Sequence, residues 1–166
     1  MTDIDVGPRQ MFDRLVPLFL NKDLGGFADL FAEDGVHELP FSPPGVPRVI
    51  QGREQIRAYL TAITDTPLTH KEFRAVGIHE TGDPEVAIAE FDAYGEVTTS
   101  GKPYVLRYVH VLQVRNGEIV YWRDYWSPLE GFKVLGGRNA LTILGRNAIR
   151  KIVSGRKKPE RSPTIT

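Results

Sequence analysis

The sequence contains no cysteine among its 166 residues. This absence excludes a disulfide-stabilised scaffold, thiolate metal sites and a cysteine nucleophile. An excess of charge is missing as well, because 21 Lys and Arg residues balance 21 Asp and Glu residues. A neutral chain is a poor match for the phosphates of a nucleic acid, so no nucleic-acid partner is expected.

Long apolar runs are also missing. The stretch MTDIDVGPRQMF carries acids where a secretory signal needs bases, and no segment reaches the length of a membrane span. We therefore expect a soluble, cytoplasmic protein. Near the C-terminus, residues 136–153 predict an amphipathic helix and the basic residues 154–166 a disordered tail. Membrane-surface binding by that helix is the alternative.

The pattern of apolar residues changes its period along the chain. Residues 8–20, 24–31 and 51–63 repeat apolar side chains at helical spacing, with Asp23 placed to cap the second helix. Pro17 is expected to kink the first helix or end it early. Alternating strands follow at 70–80, 85–99, 103–114 and 118–126. Helices followed by an antiparallel meander predict an α+β fold with the helices on one face of the sheet.

Three patterns resemble the superfamily of ketosteroid isomerases, SnoaL-like proteins and nuclear-transport-factor-like proteins: FADLFAEDGVHELP, QGREQIRAYL and VLQVRNGEIVYWRDYWSPLEGF. The last of these most resembles PhzA/PhzB-type proteins and SnoaL-like polyketide cyclases. The resemblance implies a cone over residues 1–135, with three N-terminal helices packed on a strongly curved, mostly antiparallel sheet around one deep apolar pocket. It also implies acid/base chemistry on a hydrophobic ring substrate, usually without a cofactor.

One carboxyl group, Asp124, lies between two tryptophans in the segment EIVYWRDYW. We expect a two-residue turn at 116–117. If the two strands then pair residue by residue without a bulge, Asp124 lies opposite Val109. Trp122 and Trp126 then share its face of the sheet. An apolar wall disfavours the carboxylate anion, as a proton donor or shuttle near neutral pH requires. The alternative is a structural ion pair with Arg107, diagonally across the hairpin.

Two histidines are further candidates for catalysis. The place of His110 on its strand resembles the pocket position where ketosteroid isomerases hold the acid on the oxyanion side of the substrate. In straight register, however, the His110 side chain points to the opposite face of the sheet from Asp124. Both can line one pocket only if a β-bulge re-aims one of them; otherwise His110 is a half-buried sheet residue. His37 precedes Leu39, which takes the place of the catalytic base of ketosteroid isomerases. That departure counts against a steroid-isomerase mechanism and leaves His37 as a substitute base.

The remaining candidates concern substrate binding. Tyr104 and Tyr108 share the predicted face of His110, although half-buried strands favour tyrosine in any case. The candidate substrate-binding residues are Trp122, Trp126, Tyr108, Tyr104, Arg107, Glu90 and Leu39. The histidines show no metal-ligand spacing, so no metal is expected, and the resemblance implies that no cofactor is needed.

Two classes of function stay open. The first is a small enzyme for isomerisation, cyclisation, condensation or dehydration of a hydrophobic ring-type intermediate in secondary metabolism. The second is a non-catalytic protein of the same fold that binds a small molecule or a partner. A further alternative is epoxide hydrolysis of the limonene type, which needs an Asp/Arg/Asp set. The sequence offers Asp124 and Arg107 for that set but no convincing third member.

A homodimer is expected from the opposite face of the sheet. If Asp124 points inward, apolar and aromatic side chains cover the outer face, and such patches usually mark interfaces. The residues expected there are Tyr121, Tyr125, Leu112 and Tyr108.

Overall fold

The computed structural model describes residues 6–43 and 45–136. The segments expected to form a C-terminal helix and a tail beyond residue 136 lie outside the described residues. The helices are α1 (Pro8–Leu20), α2 (Leu24–Asp29), α3 (Arg53–Ile63) and α4 (Pro128–Leu135). The strands are β1 (Phe31–Glu38), β2 (Val49–Gln51), β3 (Leu68–Glu80), β4 (Val86–Val97), β5 (Lys102–Arg115) and β6 (Glu118–Trp126).

The six strands form one curved, unclosed sheet in the order β2-β1-β6-β5-β4-β3. Strands β1 and β6 run parallel, and all other neighbours are antiparallel. Helices α1, α2 and α3 pack on its inner face, which confirms the predicted α+β fold. None of the helices in the described part of the chain has the length and apolar character of a membrane-spanning helix.

Helix α1 follows the predicted boundaries. Pro8 lies in its first turn, where a missing N–H costs nothing. Met11, Phe12 and Leu15 form the buried stripe. The helix continues through Pro17 to Leu20, so it does not end early. Proline here removes only one hydrogen bond close to the end of the helix, and burial of the apolar stripe outweighs that loss.

Helix α2 is shorter than its apolar spacing predicted. It ends at Asp29 rather than at residue 31, and the EDG sequence at residues 33–35 lies within β1. Phe31 is fully buried and pairs with Ile119 of β6. Gly35 passes so close to this strand that an added Cβ would lie 2.9 Å from the Ile119 carbonyl oxygen. Pairing with a central strand therefore overrides the helical spacing. Strand β2 and helix α4 were not predicted.

The β5–β6 hairpin starts as predicted and then departs from straight register. Asn116 and Gly117 form its tight turn with φ values of 51° and 75°. Farther on, Val114 pairs with Ile119 but Gln113 pairs with Tyr121, so Val120 has no partner in the ladder. Such an extra residue is a β-bulge, and it shifts every later pair by one position.

The bulge corrects the predicted faces of the sheet. His110, not Val109, pairs with Asp124, so these two polar side chains share the inner face. Val109 instead lies on the outer face. Leu112 and Tyr108, expected on the outer face, point inward and pack in or against the core. The predicted dimer surface therefore loses these two residues.

A glycine on β4 tests this packing. Gly95 pairs with Tyr104, and an added Cβ would collide with the Thr69 carbonyl oxygen and lie 2.6 Å from the Tyr104 ring. We expect Gly95→Ala to lower the free energy of unfolding by about 1–3 kcal/mol. Gly82→Ala is the matched control, because its Cβ would meet nothing within 4 Å. Urea denaturation followed by circular dichroism measures both, and equal stability of the two variants would contradict the packing.

Candidate active site

A cavity of about 130 Å³ lies between the helices and the inner face of the sheet. Most of its lining is apolar or aromatic. Its polar lining residues are Lys22, His37, Thr64, Thr66, His70 and Asp124. An apolar cavity of about 150 Å³ can hold benzene, so this one has room for roughly a single six-membered ring. Concave, apolar sites with a few polar groups are typical of small-molecule binding.

Asp124 and His110 form a buried pair at this cavity. The Asp124 Oδ1 atom lies 3.3 Å from His110 Nε2, and the two side chains are 12% and 2% exposed. The His110 ring is held edge-on against Trp122 and Phe91, with ring centroids 4.8 and 4.9 Å away. Within the described residues, neither Asp124 Oδ1 nor either His110 nitrogen has a hydrogen bond. The carboxyl group therefore lines the cavity with a buried imidazole directly behind it.

His37 stands beside this pair, on the neighbouring strand. It pairs with Trp122 across the parallel β1–β6 ladder, and the two rings stack at 4.4 Å with an interplanar angle of 12°. Burial lowers the pKa of His37 to about 4, against the opposing effect of Asp124. The ring is therefore neutral near pH 7. Its nitrogens and the Trp122 indole nitrogen are buried without hydrogen-bond partners among the residues described.

His70 is a cavity residue that sequence reasoning missed. It lies near the start of β3, and its Nδ1 atom is 3.0 Å from the Tyr104 hydroxyl. Burial, reinforced by the nearby Lys22 charge, lowers the pKa of His70 to about 4. No local motif marks this histidine, because only the curvature of the sheet brings β3 to the cavity. Tyr59 on α3 and Lys22, just after α1, also line the cavity and were also missed.

The predicted substrate-binding residues divide into two groups. Trp122, Trp126, Tyr108 and Leu39 line the cavity. Burial raises the pKa of Tyr108 well above its usual value, so its hydroxyl stays protonated and can donate. Tyr104 is not part of the lining and reaches it only through His70.

Arg107 and Glu90 do not reach the cavity. The Arg107 side chain is 80% exposed on the outer face, where it binds Asp92 through two contacts of 2.7 and 3.2 Å. Glu90 pairs with the exposed His79 at 3.0 Å. Strand alternation places both outward. Arg107 is therefore not the partner of Asp124, and the Asp/Arg arrangement for epoxide hydrolysis is not assembled. No group of three or more His, Asp or Glu side chains within residues 6–43 and 45–136 could hold a metal ion.

A family model that describes the SnoaL-like domain matches residues 9–122. The chain belongs to the SnoaL-like family. An uncharacterized PhzA/B-like protein of Pseudomonas aeruginosa is 41% identical over 131 residues, which are 79% of this chain and 92% of that protein. Phenazine biosynthesis protein PhzA1 of the same organism is 30% identical over 64% of this chain and 67% of its own length.

Solved structures agree with this assignment. A crystal structure of a Bacillus subtilis protein is 31% identical and superposes with a TM-score of 0.73. The match covers 82% of this chain and 97% of that one. The fold of that solved chain is therefore matched over nearly its whole length.

Two histidines of this SnoaL-like domain, His37 and His70, predict a pH dependence of stability. His37 and His70 have folded-state pKa values of about 4 against a usual 6.5. Between these values the unfolded chain binds protons that the folded chain does not, so stability falls as pH falls through this window. Each histidine contributes about 1.4 kcal/mol per pH unit.

Urea denaturation between pH 7 and pH 4 measures this dependence (roughly the span of the shifted values). We expect His37→Gln to give a shallower decrease than the wild type, because one of the two histidines with a lowered pKa is gone. The control His79→Gln removes a histidine that is 57% exposed and keeps His37 and His70. A His37→Gln profile parallel to the wild-type profile would show that His37 is not held neutral.

Proposed function

We propose that this chain is a small cofactor-independent enzyme that performs acid/base chemistry on a hydrophobic ring-type molecule. Isomerisation, cyclisation, condensation and dehydration all fit this description. The observation that carries the proposal is the Asp124 carboxyl group at the wall of an aromatic cavity, with buried His110 3.3 Å behind it. A titratable pair of this kind in a concave apolar site is a recurrent feature of general acid/base catalysis.

In the proposed mechanism, Asp124 exchanges a proton with the bound ring, and His110 stabilises the carboxyl group in each protonation state. The Asp124–His110 contact lies outside hydrogen-bonding geometry, but such contacts often tighten when substrate binds. Neutral His37 and the Trp122 indole each offer an N–H group without a partner in the described residues. These N–H groups are suited to donate hydrogen bonds to a carbonyl oxygen that becomes an enolate oxygen. Negative charge develops on that oxygen in such chemistry.

The relatives support a role in the chemistry of a small metabolite. PhzA1 is by name a phenazine biosynthesis protein, and its resemblance to this chain extends over two thirds of its length. We propose a secondary metabolite, or an intermediate on the way to one, as the substrate.

The second candidate function is non-catalytic binding of a small molecule. Leu39 favours it, because this position lacks the carboxylate that ketosteroid isomerases use as base. In the enzyme, the bound ligand exchanges protons with Asp124; in the non-catalytic binding protein, it does not. A simple ring ketone can report whether this exchange takes place.

A β,γ-unsaturated cyclohexenone is a suitable probe, because proton transfer converts it to a conjugated isomer that absorbs ultraviolet light. We expect the wild type to accelerate this conversion and Asp124→Asn to reduce the rate by about 10²–10⁴-fold, the usual effect of losing an acid/base group. Asp92→Asn is the matched control, since Asp92 pairs with Arg107 on the outer face. It should keep the wild-type rate.

Two results would count against catalysis by Asp124. The first is a rate for Asp124→Asn within about tenfold of the wild type. The second is binding of the ketone, seen by tryptophan fluorescence, with no acceleration by the wild type. That second result favours the non-catalytic binding protein.

We also propose that the chain forms a homodimer through the outer face of the sheet. Val109 and Tyr125 pair there, and Phe41, which is 60% exposed, packs edge-on against Tyr125 at 5.5 Å. Exposed apolar area of this kind marks interfaces, and a stable one buries roughly 800 Å² per partner.

Light scattering at micromolar concentration should give twice the chain mass for the wild type. We expect Phe41→Glu to shift the protein to monomer, because it introduces a charge into the apolar patch. Leu129→Glu is the matched control, since Leu129 is 71% exposed on α4 rather than on the sheet. A monomeric wild type would refute the dimer.

A further inference from the structure

A second polar region lines the cavity at the end of α1 and the start of β3. Lys22 is its only cation among the described lining residues. The Lys22 ammonium donates to the carbonyl oxygens of Thr64 and Thr66, at 3.3 and 3.2 Å. An ammonium group has three N–H donors, so one remains for a ligand. The ion pairs of the described residues do not include Lys22.

The backbone of Lys22 adds an independent observation. Its φ is 57°, in the left-handed region, and it directly follows the C-cap residue Asn21 of α1. Glycine usually takes this position, because a Cβ is unfavourable there. A strained residue that also presents a charged group to a cavity points to a functional constraint.

His70 completes this region. The Tyr104 hydroxyl holds its Nδ1 atom at 3.0 Å, which leaves Nε2 for a ligand. Gly95 makes room for the Tyr104 ring, since an added Cβ would lie 2.6 Å from it. The low pKa of His70, about 4, keeps the ring neutral. A neutral imidazole held in this way can contact a bound anion, and the positive charge that balances the anion then comes from Lys22.

We propose that Lys22, assisted by His70, binds a carboxylate group carried by the ring-type ligand. This inference rests on the proposed function for the ligand's ring and deepens it by naming the ligand's charge. A carboxylate in an apolar cavity needs a countercharge, and the Asp124 carboxyl group offers none. The carboxylate therefore binds at Lys22, and the ring extends toward Trp122 and Asp124. The cavity of about 130 Å³ has room for one ring, and Lys22 is part of its lining.

Benzoate and benzamide test this proposal, because they share shape and differ in charge. Fluorescence reports binding directly, since both tryptophans of the chain, Trp122 and Trp126, line the cavity. We expect the wild type to bind benzoate about tenfold more tightly than benzamide, equivalent to about 1.4 kcal/mol.

Substitutions at Lys22 separate the charge from the backbone. Lys22→Met removes the charge and should abolish the preference, whereas Lys22→Arg should retain it. Lys22→Gly should abolish it too, while its unfolding midpoint stays at or above that of Lys22→Met, because glycine removes the backbone strain. Lys102→Met is the matched control, an exposed lysine at the start of β5 outside the cavity lining, and should keep the wild-type preference.

The proposal is overturned if the wild type binds both compounds equally or does not bind benzoate. It is also overturned if folded Lys22→Met keeps the preference. These binding results are independent of turnover. A benzoate preference that depends on Lys22, together with an unaffected Asp124→Asn rate, would support the carboxylate site and reject catalysis by Asp124.

Discussion

Val120 is the residue that the β5–β6 ladder leaves unpaired, and the arrangement of the cavity depends on this skip. Side chains alternate between faces with a period of two, so one extra residue reverses the face of everything beyond it relative to the partner strand. The skip brings His110 opposite Asp124, where straight register would have placed Val109. On its other edge β6 pairs with β1 in irregular register, and His37 thereby comes to lie beside Trp122. His110 and Asp124 meet beside the cavity because one valine has no partner, and the separate shift in the β1–β6 register adds His37.

Around Trp122, the wall of the cavity is held together by aromatic packing rather than by side-chain hydrogen bonds. Trp122 is 1% exposed, stacks on His37, and meets Phe27 and His110 edge-on at 4.8 Å. Burial of such rings fixes their orientation and contributes several kcal/mol. The polar atoms of these rings, and Asp124 Oδ1, have no hydrogen-bond partners within the described residues. Each such group costs about 1–3 kcal/mol. The core thus stabilises an arrangement that is locally unfavourable, as expected where polar groups are kept for a ligand.

Sequence reasoning reached the fold and one side of the cavity. Helical and alternating periods identified α1, α3 and four of the strands, since long elements with a clear period carry most of the signal. The aromatic segment around Asp124 identified its strand as part of the site. The bulge at Val120 was not visible, because a period of two does not show where pairing skips. Lys22 and His70 were invisible for another reason: they are far apart in the chain, and only the packing of α1 against the curved sheet unites them.

Leu39 bears on where the carboxyl group of the proposed mechanism comes from. Its position resembles the one that carries the base in ketosteroid isomerases, but Leu39 is apolar and serves as cavity lining with 3% exposure. The carboxyl group of the proposed mechanism comes instead from Asp124 on β6, which is the immediate neighbour of β1 in the sheet. Neighbouring strands are only about 4.8 Å apart, so a carboxyl group on β6 lies close to the end of β1. On β6 this carboxyl group has the buried His110 behind it, because the bulge pairs the two residues.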